Sequence, residues 1–198
     1  MNANLYDYDL ADHVIMINDW SHQPSIAWNA LYLHADGWSL DRSILINGKG
    51  FMNNPMFVYP DDTKDKSLIQ TPLAKFLVKP NKRYRFRLID SGSYFCPKRF
   101  SIDGHNLTLI SIDGNPIEPV EVQSIVTQQG ERYDFVISTK ADPKNYFIHV
   151  AGVETYCLSA KIYQVAELNY ENGSNKLNVS ETSHQKSDRK GKVSDSND

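Results

Sequence analysis

The chain has 198 residues, of which 40% are hydrophobic and 11% aromatic, and a formal net charge of −3 at pH 7. This length suits one ordinary domain with a tail, or at most two small domains. The small negative charge gives no broad field for nucleic acid or an anionic membrane, so neither partner is expected. The first residues, MNANLYDYDL, lack the pattern of an export signal, and no apolar run is long enough to cross a bilayer. We therefore expect a soluble chain without a signal peptide.

Strand patterns follow one another up to residue 165. Residues 83–90, RYRFRLID, alternate large apolar side chains with arginines, which is the two-residue period of a strand with two different faces. The same pattern gives nine candidate strands: HVIMIND, SILING, AKFLVKP, RYRFRLID, LTLISI, VEVQSIVTQ, ERYDFVIST, NYFIHVAG and CLSAKIYQV. Turn residues separate the runs, so we predict an all-β fold, an antiparallel Greek-key sandwich or barrel.

The sequence Ser-Ile-Asp-Gly occurs twice, at residues 101–104 and 111–114. Asp-Gly is a strong turn dipeptide because glycine accepts positive φ. The two copies therefore predict a turn at each end of the strand LTLISI. His105 stands at the entry to this strand without a neighbouring cysteine, histidine or carboxylate cluster, so the sequence gives little support for a metal ligand there.

Three segments do not follow the strand rhythm. Residues 21–41 and 51–71 show no clear period and are interpreted as long surface loops. From residue 166 onward Glu, Asn, Ser, Lys and Asp dominate, and such a segment buries too little apolar surface to offset the entropy of ordering. We predict one domain over residues 6–165 and a polar linker or disordered tail over residues 166–198.

Five stretches, in their order and spacing, closely resemble the middle cupredoxin (plastocyanin-like) domain of laccase-type multicopper oxidases: HVIMINDW, SILINGKG, YRFRLID, FSIDGHNLTLISIDGNPIEPVEVQSIVTQQGERYDFVIS and NYFIH. The context FCPKRF is more similar to the animal, insect-like branch than to the fungal one. The resemblance implies a cupredoxin-like fold and a secreted parent enzyme with three such domains. It also implies that the parent oxidises phenols and reduces O2 to water, with copper held by its first and third domains.

The residue spacing agrees with a domain that holds no catalytic copper. A type 1 copper site needs a thiolate and two imidazoles, and neither Cys96 nor Cys157 has a histidine in the next few positions. A trinuclear copper cluster would need His-x-His pairs, and no two of the six histidines are two residues apart. We therefore expect no metal or other cofactor in this chain, no catalytic residue and no oxidase activity from the chain alone. By the resemblance, it is a spacer between the first and third domains, its expected partners, and it helps to line the phenol pocket.

Three residues are candidates for that pocket. In fungal laccases an acidic residue in a Cys-Asp-Pro context lies beside the phenol and can accept its proton, whereas Phe-Cys-Pro here has no carboxylate at that position. Asp90 is the nearest preceding carboxylate, and His34 and Asp36 stand in a long loop that can reach a neighbouring pocket. Glu131 and Asp134 are interpreted as parts of the strand framework, and the arginine stripe of RYRFRLID is interpreted as a solvated or interdomain face of its strand.

The two cysteines are too few for a disulfide scaffold but can form one bridge. A Cys96–Cys157 bridge would stabilise the fold by about 4 kcal/mol in the chain-entropy model, and it would leave no loose thiol in an oxidising compartment. We favour this bridge. The family resemblance provides an alternative, in which Cys96 pairs with a cysteine of the first domain. Three Asn-x-Ser/Thr sequons, at Asn106, Asn172 and Asn178, are candidates for glycosylation in a secretory compartment.

We consider three interpretations of the whole chain, each of which places it in a different functional class of protein. The leading one is the noncatalytic domain of a larger laccase-like oxidase, present as a gene fragment, an isoform or a truncated sequence. The second is a standalone cupredoxin-fold binding or interaction protein without copper. The third is a small independent copper protein with an unusual site, which the ligand spacing argues against. The gene sequence on both sides, searched for His-x-His motifs, would separate them best.

Overall fold

The computed structural model describes residues 2–21, 42–50, 72–92, 96–153 and 162–179, together with residues 24, 26, 30, 33 and 34. Within this part, a 3-10 helix, Ala3–Leu5, precedes the strands β1 Tyr8–Ser21, β2 Arg42–Ile46, β3 Lys75–Val78, β4 Arg83–Asp90, β5 Lys98–Ile102, β6 Leu107–Ile112, β7 Asn115–Val122, β8 Ile125–Thr127, β9 Arg132–Ser138, β10 Tyr146–Gly152 and β11 Tyr163–Tyr170. None of the helical segments in the described part is long and apolar enough to span a membrane.

The strands form two sheets around a shared core. The first sheet has the order β2-β1-β4-β9-β6-β7, and the second has the order β3-β11-β10-β5-β8. This architecture confirms the predicted all-β sandwich. Most neighbouring strands are antiparallel, but β1 runs parallel to β4 and β3 runs parallel to β11. The sequence pattern did not indicate these parallel pairs, because alternation shows which face of a strand is buried and not the direction of its neighbour.

The core lies between the sheets, and β4 shows why the chain folds this way. Its residues alternate between buried and half-buried along the whole strand, as the sequence predicts. Phe86 is fully buried, pairs with Phe135 of β9 in register, and stacks on its ring with centroids 5.6 Å apart. Phe100 of β5 reaches the same ring from the second sheet, at 5.4 Å. These three aromatic rings join the sheets at the centre of the sandwich.

The two Asp-Gly turns lie where the sequence places them. Asp113 and Gly114 both have positive φ, of 50° and 82°, and join β6 to β7 with Ile112 opposite Asn115. Two consecutive residues of positive φ are typical of a type I′ hairpin turn. Gly104, with φ of 66°, occupies the other turn, ahead of β6. The repeat is thus explained by structure, as two turns around one strand.

The middle of the chain differs from the predicted strand set in two ways. The stretch VEVQSIVTQ, predicted as one strand, divides between β7 of the first sheet and β8 of the second. β5, with the sequence KRFSI, was not among the predicted strands. Its first residue, Lys98, is fully buried, and a charged residue at a core position hides the apolar pattern from the sequence.

The last strand continues beyond the predicted domain end at residue 165. Leu168 and Tyr170 of β11 are buried, and Leu177 and Val179 pack against a second cluster of buried residues. Polar residues dominate the average composition there, but alternate positions still reach the core. Residues 180–198 of the predicted tail, most of the predicted loop at 21–41 and all of the loop at 51–71 lie outside the described residues. Within 21–41, residues 26, 30, 33 and 34 are helical, so the loop prediction is wrong at these positions.

Truncating the central ring should destabilise the sandwich. We expect Phe86→Ala to lower the free energy of unfolding by about 3–5 kcal/mol, because it leaves a cavity between the stacked rings of both sheets. The exposed Val126→Ala on β8 is the control and should change it by less than about 0.5 kcal/mol. Denaturant unfolding followed by circular dichroism measures both. Equal, small effects would mean that the Phe86 face is not the core.

Candidate functional site

A buried cluster of three charged side chains lies where the two sheets meet. Lys98, at the start of β5, places Nζ 3.2 Å from both carboxylate oxygens of Asp90, at the end of β4. The same Nζ lies 3.6 Å from Asp19 Oδ1 in β1. The side chains of Lys98 and Asp90 are fully buried, and that of Asp19 is 7% exposed. One ammonium group therefore faces two carboxylates, away from water.

Burial raises the pKa of Asp90 above its ordinary value. The Lys98 ammonium group and the Gly92 N–H, which donates to Asp90 Oδ1 at 3.0 Å, lower this pKa in part, while Asp19 raises it further. Gly92 also leaves the space that the cluster needs. A Cβ atom at this position would lie 2.8 Å from Lys98 Nζ, 2.9 Å from Asp19 Oδ2 and 3.0 Å from Asp90 Oδ1. The cluster joins β1, β4 and β5 within the sandwich.

The three predicted pocket residues lie in different environments. Asp90 points into this buried cluster rather than towards the surface. His34 is exposed, and Asp36 lies outside the described residues. The role of the three residues at a phenol pocket stays a prediction. Sequence reasoning selected Asp90 for its position before Cys96 and missed its partner Lys98, which the sequence shows only as the first of two basic residues in KRFSI.

Two buried histidines are held by hydrogen bonds within the second sheet and its turns. His105 Nδ1 donates to the Asp103 carbonyl at 2.8 Å, and its Nε2 accepts from the Tyr170 hydroxyl at 2.6 Å. This arrangement fits the neutral ring, and burial lowers the pKa of His105. His149 contacts the Tyr163 hydroxyl at 2.9 Å and the Asp103 carboxylate at 3.0 Å. Both imidazoles thus have structural partners.

His13 of β1 is buried between the two sheet edges. Its Nε2 donates to the carbonyl oxygen of Leu77 in β3 at 3.0 Å, and its ring stacks on Phe86 with centroids 4.4 Å apart. Burial lowers the pKa of His13, so the ring is neutral and Nδ1 is an acceptor. Within the described part of the chain, this Nδ1 has no hydrogen-bond partner.

The described residues do not fit a copper site. Among them, no group of three or more His, Cys, Asp or Glu side chains is placed to hold a metal ion. Cys96 is fully buried and disulfide-bonded, whereas a type 1 copper needs a free thiolate with two imidazoles. His22, Cys157 and His184 lie outside the described residues. The predicted partner of Cys96, Cys157, is therefore not described.

The arginine stripe of β4, predicted to be a solvated or interdomain face, forms ion pairs on the outer face of the first sheet. The pairs are Arg83 with Asp7 (2.8 Å), Arg85 with Asp9 (3.0 Å) and Asp134 (2.5 Å), and Arg87 with Asp9 (2.5 Å). Sequence reasoning missed Asp7 and Asp9, although their two-residue spacing in YDYDL matches that of the arginines. Glu131 accepts from the Tyr133 hydroxyl at 2.9 Å, so it is not paired with Asp134 for acid/base chemistry.

The three sequons lie at exposed positions. Asn106, Asn172 and Asn178 are all exposed, and the Asn106 amide donates to Glu121 Oε1 at 2.9 Å. Their exposure is compatible with glycan attachment, which stays a prediction.

Comparison with known proteins decides the family. The model of the multicopper oxidase family matches residues 11–173. The chain belongs to the multicopper oxidase family. It is 40% identical to Laccase-1 of Pleurotus ostreatus over 150 residues, which are 74% of this chain and 24% of that protein. It is 35% identical to Oxidoreductase OpS5 of Beauveria bassiana over 154 residues, 77% of this chain and 24% of that protein.

Solved structures of other multicopper oxidases show the same fold. The laccase from Botrytis aclada has a TM-score of 0.63 and 24% identity, over 90% of this chain and 31% of that one. Fet3p, a multicopper oxidase that functions in iron import, has a TM-score of 0.64 and 16% identity, over 87% of this chain and 30% of that one. Our chain thus spans about a quarter of the length of its curated relatives. The predicted family is confirmed, while the middle-domain position and the animal branch stay predictions, since these relatives are fungal.

Removing the buried cation should destabilise this multicopper oxidase domain in a pH-dependent way. We expect Lys98→Met to lower the free energy of unfolding by about 3–5 kcal/mol at pH 7, because it leaves Asp90 and Asp19 buried without compensation. A raised folded-state pKa of Asp90 means that the folded protein binds a proton more tightly than the unfolded one. Stability is therefore lost as pH rises through the folded pKa, and the loss in the variant should shrink as pH falls towards 4. Denaturant unfolding between pH 4 and 8 measures this.

The double variant Lys98→Met/Asp90→Asn is the matched control. It removes one of the two uncompensated charges, so its unfolding free energy should depend less on pH than that of the single variant. A single-variant loss that is constant across the pH range would contradict the electrostatic explanation.

Peptide mapping should identify the disulfide. We expect an unreduced digest of the purified protein to contain Cys96 linked to Cys157, and reduction to release both thiols. Two alkylatable thiols in the unreduced protein, or Cys96 linked to another polypeptide, would rule out the internal bridge.

Proposed function

We propose that this chain is the noncatalytic middle cupredoxin domain of a laccase-like multicopper oxidase. The parent enzyme oxidises phenolic substrates and transfers the electrons to O2, which is reduced to water. Copper is held by the first and third domains, which are the partners of this chain. The proposal goes beyond family membership, because it assigns this chain to the middle domain of the parent protein.

The proposal is supported by what the buried imidazoles and the sulfur of Cys96 bind within the protein. In a family named for copper, the buried rings of His13, His105 and His149 all hydrogen-bond to protein groups, and Cys96 is in a disulfide. These side chains stabilise the sandwich instead of presenting ligands to a metal. Copper, when bound in the parent, supplies one-electron chemistry there, and this chain contributes rigid geometry.

Rigidity follows from contacts between the sheets. The stacked rings of Phe86, Phe135 and Phe100 fill the centre, and the Lys98–Asp90 pair joins the sheets at one end. A spacer held in this way keeps the copper-bearing domains at a fixed separation. Because Asp90 is fully buried against Lys98, we assign the lining of the phenol pocket to the other two candidates, His34 and Asp36.

We also propose that the parent protein is secreted. A disulfide at Cys96 is stable in oxidising compartments and rare in the cytosol. The exposed sequons at Asn106, Asn172 and Asn178 are then available to the glycosylation machinery of the secretory pathway.

The purified chain should neither turn blue with copper nor oxidise phenols. We expect no thiolate-to-copper charge-transfer band on copper titration, because the spacing of cysteine and histidine does not supply a type 1 site. Oxidase activity should appear when the flanking domains of the parent are supplied and copper is added. A band that grows with added copper and is abolished by Cys157→Ser would contradict the proposal. A stable chain that neither binds the flanking domains nor supports their activity would favour the standalone binding protein.

A further inference from the structure

The polypeptide that follows β11 is docked on the second sheet. Residues 171–179, which we call the strap, have the sequence ENGSNKLNV, whose polar composition is typical of a linker. Leu177 and Val179 of the strap are nevertheless half-buried and pack against a cluster of buried side chains. The cluster consists of Leu73, Phe147, Ala151, Tyr163 and Val165. Tertiary contacts therefore hold a segment whose composition alone predicts no order.

This cluster lies on the outer face of the second sheet. Phe147 and Ala151 of β10 belong to it, whereas Ile148 and Val150, which alternate with them, belong to the central core. Successive side chains of a strand point to opposite faces. All residues of β10 after Tyr146 are buried, so this strand is covered on both faces. The strap supplies part of the cover on the outer face.

A reciprocal pair of asparagines, which we call the asparagine clamp, joins the strap to the start of β10. Asn145 N donates to Asn175 Oδ1 at 2.6 Å, and Asn145 Nδ2 donates to Asn175 O at 2.8 Å. In return, Asn175 Nδ2 donates to Asn145 O at 3.0 Å. Asn145 Oδ1 also accepts from Tyr170 N, at the end of β11, at 2.9 Å. One asparagine thus connects β10, β11 and the strap.

The turn between β11 and the strap fits closely against Asn145. Asn172 has a positive φ of 61°, and Gly173 N donates to Tyr170 O at 2.9 Å. A Cβ atom at Gly173 would collide with the Asn145 side chain. Only glycine fits at this position, and the direction of the chain after Tyr170 is therefore determined by the clamp.

Hydrogen bonds are needed to hold the strap, because six of its nine residues are exposed. Two half-buried apolar side chains bury little surface, and segments of this kind open more readily than the core. The strap also lies outside every strand of the two sheets. Loss of the clamp should therefore release the strap while the sandwich stays folded.

We propose that the asparagine clamp is a positioning device in the parent oxidase. It docks the strap on the second sheet and so fixes where, and in which direction, the chain leaves this domain towards the domain that follows. The inference rests on the proposed function, in which a further domain follows the middle one. Release of the strap lengthens the flexible connection and increases the range of positions open to that domain.

Hydrogen exchange of the 198-residue chain, made without glycosylation, tests the clamp. Asn175→Ala removes two of the three hydrogen bonds between the asparagines. Asn172→Gly is the matched control, because it changes an exposed asparagine of the same strap and glycine keeps the positive φ. The Ser174 amide, which donates to Pro143 O at 3.2 Å, reports on docking. We expect it to exchange about tenfold faster in Asn175→Ala, and the control and the amides of β4 to remain unchanged.

The distance between domains tests the positioning role in the parent. One nitroxide label is placed at Val126, which is 48% exposed on β8, and a second on the surface of the following domain. Both are attached through keto amino acids, so that the disulfide of Cys96 stays intact. Double electron–electron resonance measures the distribution of distances. We expect Asn175→Ala to broaden this distribution and Asn172→Gly to leave it as it is in the parent.

Four outcomes would overturn the inference. These are unchanged exchange of the Ser174 amide in Asn175→Ala, equal acceleration in Asn172→Gly, faster exchange of the β4 amides as well, or an unchanged distance distribution in the parent. If the flanking domains restore oxidase activity while any of these occurs, the positioning role fails and the proposed function stands. If the flanking domains do not bind this chain, both fail.

Discussion

The pairing of Lys98 with Asp90 determines how the two sheets meet. β4 ends at Asp90 in the first sheet, β5 begins at Lys98 in the second, and the two charged groups contact each other without access to water. Removing such charges from water is strongly unfavourable unless each finds a partner. Here the ammonium group donates to both oxygens of Asp90 and lies near Asp19, and Gly92 supplies a further N–H. The apolar core can close around this corner because its charges are compensated internally.

The three buried histidines that the structure describes are held in place by hydrogen bonds to protein groups. Each buried ring connects segments that are distant in sequence: His13 of β1 to β3, His105 to Tyr170 at the end of β11, and His149 of β10 to the turn at Asp103. A neutral imidazole offers one hydrogen-bond donor and one hydrogen-bond acceptor, so a single ring can hydrogen-bond to two different segments of the chain. In His105 both nitrogens are used in this way.

Much of the fold could be predicted from the sequence, since most strands are visible as alternating or continuous apolar runs and Asp-Gly marks the hairpin at residues 113 and 114. β4 is the clearest case, because Tyr84, Phe86 and Leu88 are buried while the arginines that precede them face outward. β5 was missed because Lys98 occupies a core position, and the pattern treats lysine as a surface residue. The parallel pairing of β1 with β4 was also missed, and it includes a register shift between Asp9 and Val14.

The candidate site was less predictable, because its essential contacts join residues that are far apart along the chain. Asp90 was selected from its position before Cys96, but nothing local indicates that Lys98 turns back to meet it. The ion pairs of Asp7 and Asp9 with the β4 arginines follow a spacing visible in the sequence, but their register depends on the parallel pairing. Contacts of this kind appear only when the strand order is known.

The burial of the Lys98–Asp90 pair also has a kinetic consequence. Both side chains are fully enclosed, and the backbone at Gly92 packs so closely that no Cβ fits beside the charged atoms. A proton can reach or leave Asp90 only during a local opening of the corner between β4 and β5, and such openings are rare where packing is dense. The rate at which Asp90 gains or loses a proton should therefore be limited by the rate of that opening. After a rapid change of pH, its protonation state should change only after a delay.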